Sequence, residues 1–203
     1  MLEKIFRAYL DYIEQKYRLR ERKEEEVHVH QLIRCKFKNK MEELFPSLIQ
    51  ILTPGIFIGE MVDIGVKELL KFLGGFQTDV ELSKEIEING SKIRLIGRPD
   101  GLSSDFVVEI KYSRVRPSEP LEHHVLQLKL YLFLANKEKG VLMYITPEGF
   151  AEFWIEEKPD ENFVKELFES WNSPRFDWEC SYCIFRKICP FSRASSERTS
   201  QSK

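Results

Sequence analysis

The sequence predicts a mixed α/β domain in which helices flank a central mixed sheet. Two observations lead to this assignment. Segments with apolar residues at helical spacing alternate along the chain with short apolar runs typical of strands. The runs are separated by turn signals, of which Asn89-Gly90 is the strongest. Strands and helices mixed in this way form layered α/β folds.

The helices are marked by periodic apolar residues and by residues that begin or end helices. Pro54 near the start and Gly74-Gly75 at the end delimit one strongly periodic segment, and Asp160 is an N-cap residue for another. A short extended piece passes into a helix between residues 27 and 46. We predict the other helices over residues 2–26, 53–75, 123–139 and 160–174.

The predicted strands form a three-strand unit that is followed, after one helix, by a hairpin. The hairpin turn is the segment "TPEG", which contains both proline and glycine. No internal repeat interrupts this order. We predict strands over residues 79–88, 92–102, 105–113, 140–147 and 150–157.

The composition is that of one soluble globular domain. The chain has 203 residues, of which 42% are hydrophobic and 32% are charged. The formal net charge of -2 excludes binding to polyanions through overall charge, so nucleic-acid binding would need a local basic patch. No run reaches the roughly 18 apolar residues of a membrane helix, and the start lacks the apolar core of a signal peptide. We therefore expect a cytoplasmic location without a membrane partner.

The stretch "GRPDGLSSDFVVEIK", residues 97–111, has a carboxylate after a proline and then a carboxylate and a lysine two residues apart. Asp100 ends one strand, and Glu109 and Lys111 share a face of the next because strand side chains alternate. The two carboxylates could approach one magnesium or manganese ion, with the lysine orienting the attacking water. The alternative is a surface hairpin with an ordinary salt bridge, although a buried strand has little reason to end in two paired charges.

Two pairs of polar residues on neighbouring helices favour the metal interpretation. Gln127 and Tyr131 lie four residues apart, and Glu60 and Asp63 lie three apart, so each pair shares one helix face. Taken alone, either pair could be an ordinary solvated helix surface. Their coincidence with the carboxylates is harder to explain in that way.

The four cysteines form a pattern typical of a metal site. Cys180, Cys183 and Cys189 make a compact group, and the distant Cys35 would supply a fourth thiolate. Disulfides are not expected in a chain without a secretion signal. Zinc and iron–sulfur clusters are both held by four thiolates, and spacing alone does not choose between them. Unpaired buried cysteines are the alternative.

Two histidine pairs are interpreted as solvent-facing. His28 and His30 alternate on a predicted strand, and His123-His124 opens a predicted helix. A metal role is the less favoured alternative for both pairs.

These motifs together resemble a known nuclease family. The segments "GRPDGL", "VVEIK" and "QLKLY" resemble the RecB-like branch of the PD-(D/E)XK superfamily. With one early cysteine and a late Cys-x-x-Cys-x-x-x-x-x-Cys, residues 27–190 resemble the CRISPR-associated exonuclease family Cas4. The resemblance implies a restriction-endonuclease-like core and a metal-dependent DNA exonuclease. Such proteins process DNA ends for storage as new spacers in CRISPR adaptation, alongside the Cas1/Cas2 integrase.

The resemblance also implies roles for residues of the nuclease core. Asp100, Glu109 and Lys111 would be catalytic, and the metal ligands would be Asp100, Glu109 and the Ile110 carbonyl. The helix motif near the DNA would be Gln127 and Tyr131. The DNA would be single-stranded or an end-bearing duplex.

For the cysteines, the resemblance implies an iron–sulfur cluster. In this family the cluster is most often 4Fe–4S, with 2Fe–2S as the alternative. It would join residues 1–50 to residues 174–190 within one nuclease domain over 1–190, followed by a flexible tail over 191–203. The four ligands would be Cys35, Cys180, Cys183 and Cys189.

The sequence departs from the family at one metal-binding position. Relatives usually carry a histidine in a Gly-x-x-x-His context, whereas "GEMVD", residues 59–63, has Asp63 there. An aspartate still suits magnesium or manganese, so we expect Asp63 to be a metal ligand. Glu60, one turn earlier, is the alternative. Three other functions stay open: an iron–sulfur nuclease of recombination or repair, a catalytically weak DNA-binding assembly subunit, and a zinc protein whose acidic pair is structural.

Overall fold

The computed structural model describes residues 1–18, 25–45 and 53–193. The helices are α1 (Leu2–Arg18), α2 (Val29–Leu32), α3 (Lys36–Leu44), α4 (Pro54–Leu73), α5 (Glu122–Ala135), α6 (Glu161–Glu169) and α7 (Glu179–Tyr182). The strands are β1 (Glu26–His28), β2 (Leu82–Ile88), β3 (Ser91–Gly97), β4 (Gly101–Leu102), β5 (Phe106–Tyr112), β6 (Lys139–Thr146) and β7 (Gly149–Ile155).

The strands form two mixed sheets. In the first sheet, of order β1-β3-β2, β1 is parallel to β3 and β2 is antiparallel to it. In the second, of order β4-β5-β6-β7, β5 and β6 are parallel and the outer pairs are antiparallel. The predicted mixed α/β class, with mixed sheets flanked by helices, is confirmed. The division into two sheets was not predicted, because periodicity indicates strands but not their partners.

Helix α5 forms the centre of the main core. It contacts β2 and β3 of the first sheet and β5, β6 and β7 of the second, and its Leu128 and Leu132 are fully buried. Helix α4 packs against β5, where Leu70 joins Val108 and Ile110 in a second apolar cluster. No helix in the described ranges is long and apolar enough to cross a bilayer.

Several predicted element ends are confirmed. Asn89 and Gly90 have φ values of 50° and 79°, as the tight turn between β2 and β3 requires. Gly74 follows α4 with φ 78°, a conformation that favours glycine. Asp160 caps α6 by accepting a hydrogen bond from the Phe163 amide at 2.8 Å.

Two predictions near the N-terminus are wrong. The helix predicted over residues 2–26 does not reach residue 26, which begins β1; residues 19–24 lie outside the described part. His28 and His30 do not alternate on one strand, because β1 ends at His28 and His30 lies in α2. Their rings nevertheless stack, with centroids 5.4 Å apart. Of the predicted tail, residues 194–203 lie outside the described residues.

Candidate functional site

Asp100 lies where the chain passes from the first sheet to the second. It directly precedes β4, which pairs antiparallel with β5 through Gly101 and Val108. This pairing sets Asp100 beside β5, and its Oδ2 accepts a hydrogen bond from the Ile110 amide at 2.7 Å. The carboxylate is therefore held against the strand that carries Glu109.

A chain of hydrogen bonds runs from β5 to α5. Lys111 Nζ donates to Glu109 Oε1 at 2.7 Å and to Gln127 Oε1 at 2.8 Å. Gln127 Nε2 in turn donates to the Tyr131 hydroxyl at 3.0 Å. The structure thus brings together four residues that the sequence placed on two separate elements, because α5 packs on the face of β5 that bears Glu109 and Lys111.

The second carboxylate oxygen of Glu109 is buried without a hydrogen-bond partner in the described residues. Glu109 is 3% exposed, and its Oε2 is the atom left unpaired. An ionised carboxylate in such surroundings needs a nearby positive charge. Burial and then the charge of Glu109 raise the pKa of Asp100 to about 6, so the site disfavours the ionised form of Asp100. Both observations fit a site built to receive a cation.

Asp63 joins this site through a lysine that the sequence analysis did not single out. Lys67 Nζ lies 2.8 Å from Asp63 Oδ2 and 3.1 Å from Asp100 Oδ1. Burial and then the charge of Asp100 raise the pKa of Asp63. Burial lowers the pKa of Lys67, but the two carboxylates outweigh it and raise that pKa above its ordinary value. The available signal was the four-residue spacing from Asp63, which also occurs in ordinary surface pairs.

The donor set suits a divalent cation, although the side chains do not yet form a coordination shell. Carboxylate and carbonyl oxygens from Asp63, Asp100, Glu109 and Ile110 are the hard ligands that magnesium and manganese prefer. As the side chains stand, no three histidine, cysteine, aspartate or glutamate residues of ranges 1–18, 25–45 and 53–193 converge closely enough to hold a metal ion. Glu60 lies on the same helix as Asp63, and its role stays a prediction.

The four cysteines line one cavity. This cavity, of about 370 Å³ including its open mouth, is also lined by apolar side chains such as Phe37 and Phe185. All four thiols are free. Burial raises the pKa of Cys183, and the neighbouring Cys35 and Cys189 add to the increase. Free thiols that line one cavity from two distant segments are the ligand type of a sulfur-ligated metal or cluster. The four cysteines that line the cavity are Cys35, Cys180, Cys183 and Cys189.

Hydrogen bonds hold Cys35 and the two residues after it against residues 172–179, here called the C-terminal segment. Glu179 accepts from the Cys35 amide at 2.7 Å through Oε1 and from the Arg175 and Phe176 amides at 2.8 and 2.9 Å through Oε2. The Lys36 and Phe37 amides are also bound by residues of this segment. Sequence analysis missed Glu179, because its partner Cys35 is 144 residues away in the chain.

The interpretation of His123-His124 as a solvent-facing pair is wrong. His124 Nδ1 lies 2.8 Å from the Tyr144 hydroxyl, and burial followed by the charge of Lys111 lowers the pKa of His124 to about 2. The ring of His123 packs on Trp178, with centroids 4.9 Å apart. Both histidines are therefore half-buried at the start of α5 because the C-terminal segment and β6 cover them.

Known proteins are similar to this chain over most of its length. No family model matches the chain. A curated relative named CRISPR-associated exonuclease Cas4, from Saccharolobus solfataricus, is 38% identical over 180 residues, which cover 83% of this chain and 89% of the relative. The crystal structure of SSO0001 superposes with a TM-score of 0.88 at 36% identity, covering 93% of this chain and 97% of that one.

A more distant structure shows the fold alone. The alkaline exonuclease LHK-Exo from Laribacter hongkongensis matches with a TM-score of 0.50 at 13% identity, covering 71% of this chain and 82% of that one. The identity to the curated relative, by contrast, extends over most of both chains. The family that the motifs of the sequence resemble is confirmed: this chain belongs to the CRISPR-associated exonuclease Cas4 family.

Proposed function

We propose that this chain is a magnesium- or manganese-dependent DNA exonuclease that carries an iron–sulfur cluster and trims DNA ends for CRISPR adaptation. The observation that carries the proposal is the hydrogen-bonded group in which Lys111 joins Glu109 to Gln127. The name of the 38% identical relative, an exonuclease, supports the same activity.

Asp100 and Glu109 would hold the divalent cation with the Ile110 carbonyl, and Asp63 would be a further ligand. When bound, such a cation lowers the pKa of a ligated water and neutralises charge on a phosphate. The unpartnered Oε2 of Glu109 supports this role, because that oxygen has no hydrogen-bond donor within the described ranges.

Lys111 would act as a proton-bearing group rather than as a base. Burial lowers its pKa, but the charge and hydrogen bond of Glu109 together with the charge of Asp100 oppose burial, and the net result is a pKa above the ordinary value. The ammonium form therefore persists at neutral pH. It can donate hydrogen bonds to an attacking water or to a phosphate oxygen, and Gln127 fixes its direction.

Gln127 and Tyr131 of α5 would have different roles. Gln127 contacts Lys111 directly, and it would orient DNA beside that lysine. Tyr131 is 5% exposed, so its hydroxyl would position Gln127 more than it would touch DNA. Tyr131 is in this view a positioning residue, whereas Gln127 would contact the substrate.

The cysteine cavity would hold the iron–sulfur cluster, which would join residues 1–50 to residues 174–190 within the one domain. A cluster at this place would stabilise the fold rather than take part in DNA cleavage. The product of trimming would pass to the Cas1/Cas2 integrase, as the family membership supports.

The test compares cleavage of end-labelled single- and double-stranded DNA with magnesium, manganese or a chelator. Wild type is compared with Lys111→Ala, Asp63→Ala and, as a matched control, Lys158→Ala, whose lysine pairs with Glu138 on the surface. We expect metal-dependent cleavage that both site variants lose and the control keeps. Iron and sulfide are measured on the same preparations.

Each rival function has its own outcome. A folded, cluster-loaded wild type that binds DNA without cutting it would indicate an assembly subunit. Zinc in place of iron and sulfide would indicate the zinc protein. Cleavage that does not respond to Cas1/Cas2 while acting on recombination intermediates would favour repair.

A further inference from the structure

We propose that Lys67 is a built-in counterion that holds the metal-free carboxylates together and competes with the divalent cation for Asp63 and Asp100. Lys67 would thereby set how much metal the nuclease needs. The inference rests on the proposed function, because it concerns the metal site of that function.

The ammonium group of Lys67 lies among carboxylate oxygens. Its Nζ is 2.8 Å from Asp63 Oδ2, 3.1 Å from Asp100 Oδ1 and 3.6 Å from Asp79 Oδ1, and its side chain is 13% exposed. A magnesium ion binds carboxylate oxygens at about 2.0–2.1 Å. A cation that took these same oxygens would displace the ammonium, because both need the same space and the same lone pairs.

Both carboxylate oxygens of Asp100 already have a partner while Lys67 is in place. Its Oδ1 faces Lys67, and its Oδ2 accepts the hydrogen bond from the Ile110 amide. The Ile110 bond satisfies a backbone amide of β5 with the Asp100 side chain, and a buried amide left without an acceptor is costly. The contact with Lys67 comes from a flexible side chain on α4 and is the one that can open.

Of the two lysines at the site, Lys67 is the one that a bound divalent cation would displace. Asp63, Asp100 and Glu109 face two ammonium groups, those of Lys67 and Lys111. Lys111 is also held by Gln127, whereas Lys67 contacts the carboxylates of Asp63, Asp79 and Asp100. An incoming divalent cation would repel both lysines, and Lys67 can turn away without breaking the chain of hydrogen bonds to α5.

Lys71 provides a matched control one turn further along α4. It carries the same charge and lies 2.7 Å from Glu68 and 3.9 Å from Asp79, and its side chain is 47% exposed. Replacing Lys71 removes one positive charge from the same helix without removing a contact to Asp63 or Asp100. A change that is specific to Lys67 therefore cannot come from net charge alone.

The experiment measures manganese binding by titration calorimetry to the full-length, cluster-loaded protein. The variants are Lys67→Met, which keeps the apolar stem, Lys67→Gln, which also keeps a hydrogen-bond donor, and Lys71→Met. We expect both Lys67 variants to bind manganese at least about tenfold more tightly than wild type, because the competing charge is gone. Lys71→Met should stay within about twofold of wild type.

Melting temperatures give a second readout that does not depend on activity. Without manganese, Lys67→Met and Lys67→Gln should melt below wild type, because three carboxylates have lost a counterion. Saturating manganese should raise their melting temperatures more than that of wild type. A metal-bound Lys67 variant that melts as wild type does would support the proposal even where the metal-free variant is only partly folded.

The outcomes separate this proposal from the proposed function. Equal or weaker manganese binding by both Lys67 variants, beside normal binding by wild type, would overturn the role of Lys67 and leave the nuclease intact. No binding by any of the proteins would overturn both. Binding by the Lys67 variants alone would support the proposal in its strongest form.

Discussion

Replacement of Glu179 by alanine tests whether the cysteine cavity is assembled by protein contacts before any cluster is bound. Glu179 is 9% exposed, and its carboxylate accepts hydrogen bonds from the backbone amides of Cys35, Arg175 and Phe176. Alanine leaves these three amides without their acceptor. Each buried donor left unpaired costs about 1–3 kcal/mol, so three at the low end cost about 3 kcal/mol.

The assay is urea unfolding of the protein from which iron has been removed, followed by the iron and sulfide content after reconstitution. We expect Glu179→Ala to lower the free energy of unfolding by about 3 kcal/mol and to bind less iron per chain. Glu179→Gln keeps one oxygen for the Cys35 amide but turns its own N–H groups toward two other donors. It should therefore lie between wild type and Glu179→Ala.

The control is Glu138→Ala, which removes an exposed glutamate that pairs with Lys158. We expect it to change the free energy of unfolding by less than about 0.5 kcal/mol and to leave the iron content unchanged. If Glu179→Ala unfolded at the same urea concentration as wild type and took up iron normally, the hydrogen bonds of Glu179 would not be what positions Cys35.

Two further predictions concern the packing and the protonation of residues near the nuclease site. Gly97→Ala should lower the free energy of unfolding by about 1–3 kcal/mol and reduce cleavage, because a Cβ there would lie 2.8 Å from Tyr131 Cε1. The control Gly65→Ala places its Cβ in open space within α4 and should raise the melting temperature. For His124, the folded pKa of about 2 lies below the ordinary 6.5, so its stabilising effect is complete above pH 6.5 and is lost as the pH falls. Urea unfolding should show wild type losing about 1.4 kcal/mol more than His124→Asn between pH 7.5 and 5.5; equal losses would mean that the ring facing Tyr144 titrates normally in the folded protein.

The parts of the site that follow from local patterns were predictable from the sequence, and those that depend on distant packing were not. The alternation of Glu109 and Lys111 on β5 and the helical spacing of Gln127 and Tyr131 are local, and the structure joins them as expected. Lys67 reads in the sequence as an ordinary helix lysine, because only the fold brings Asp100 to it.

Long-range contacts account for the other differences from prediction. Glu179 resembles an acidic residue at the start of a short helix until its partner, 144 residues away, is known. His124 looks exposed because helix starts usually are, but β6 brings Tyr144 over it. In each case the residue type is visible in the sequence, and the partner that gives it a role is not.

The start of α5 connects the cysteine cavity to the candidate site around Lys111. The ring of Trp178, directly before Glu179, packs on His123, and Phe176 stacks on Trp178 with an interplanar angle of 14°. Gln127, which holds Lys111, lies one helical turn after His123. Loosening of the cysteine segment would therefore remove packing from the turn that precedes Gln127.

Tyr144 of β6 also holds the start of α5, so this end of the helix does not depend on the cysteine segment alone. The Tyr144 hydroxyl accepts a hydrogen bond from the Leu121 amide at 3.1 Å and contacts His124, so β6 holds the same end of α5 independently. Tyr144 is almost fully buried and belongs to the main core, which does not depend on the cysteines. We therefore expect loss of the cluster to weaken DNA cleavage by displacing Gln127 slightly, and not to abolish it. Abolition in a folded, cluster-free protein would require the cluster region to contact the DNA itself.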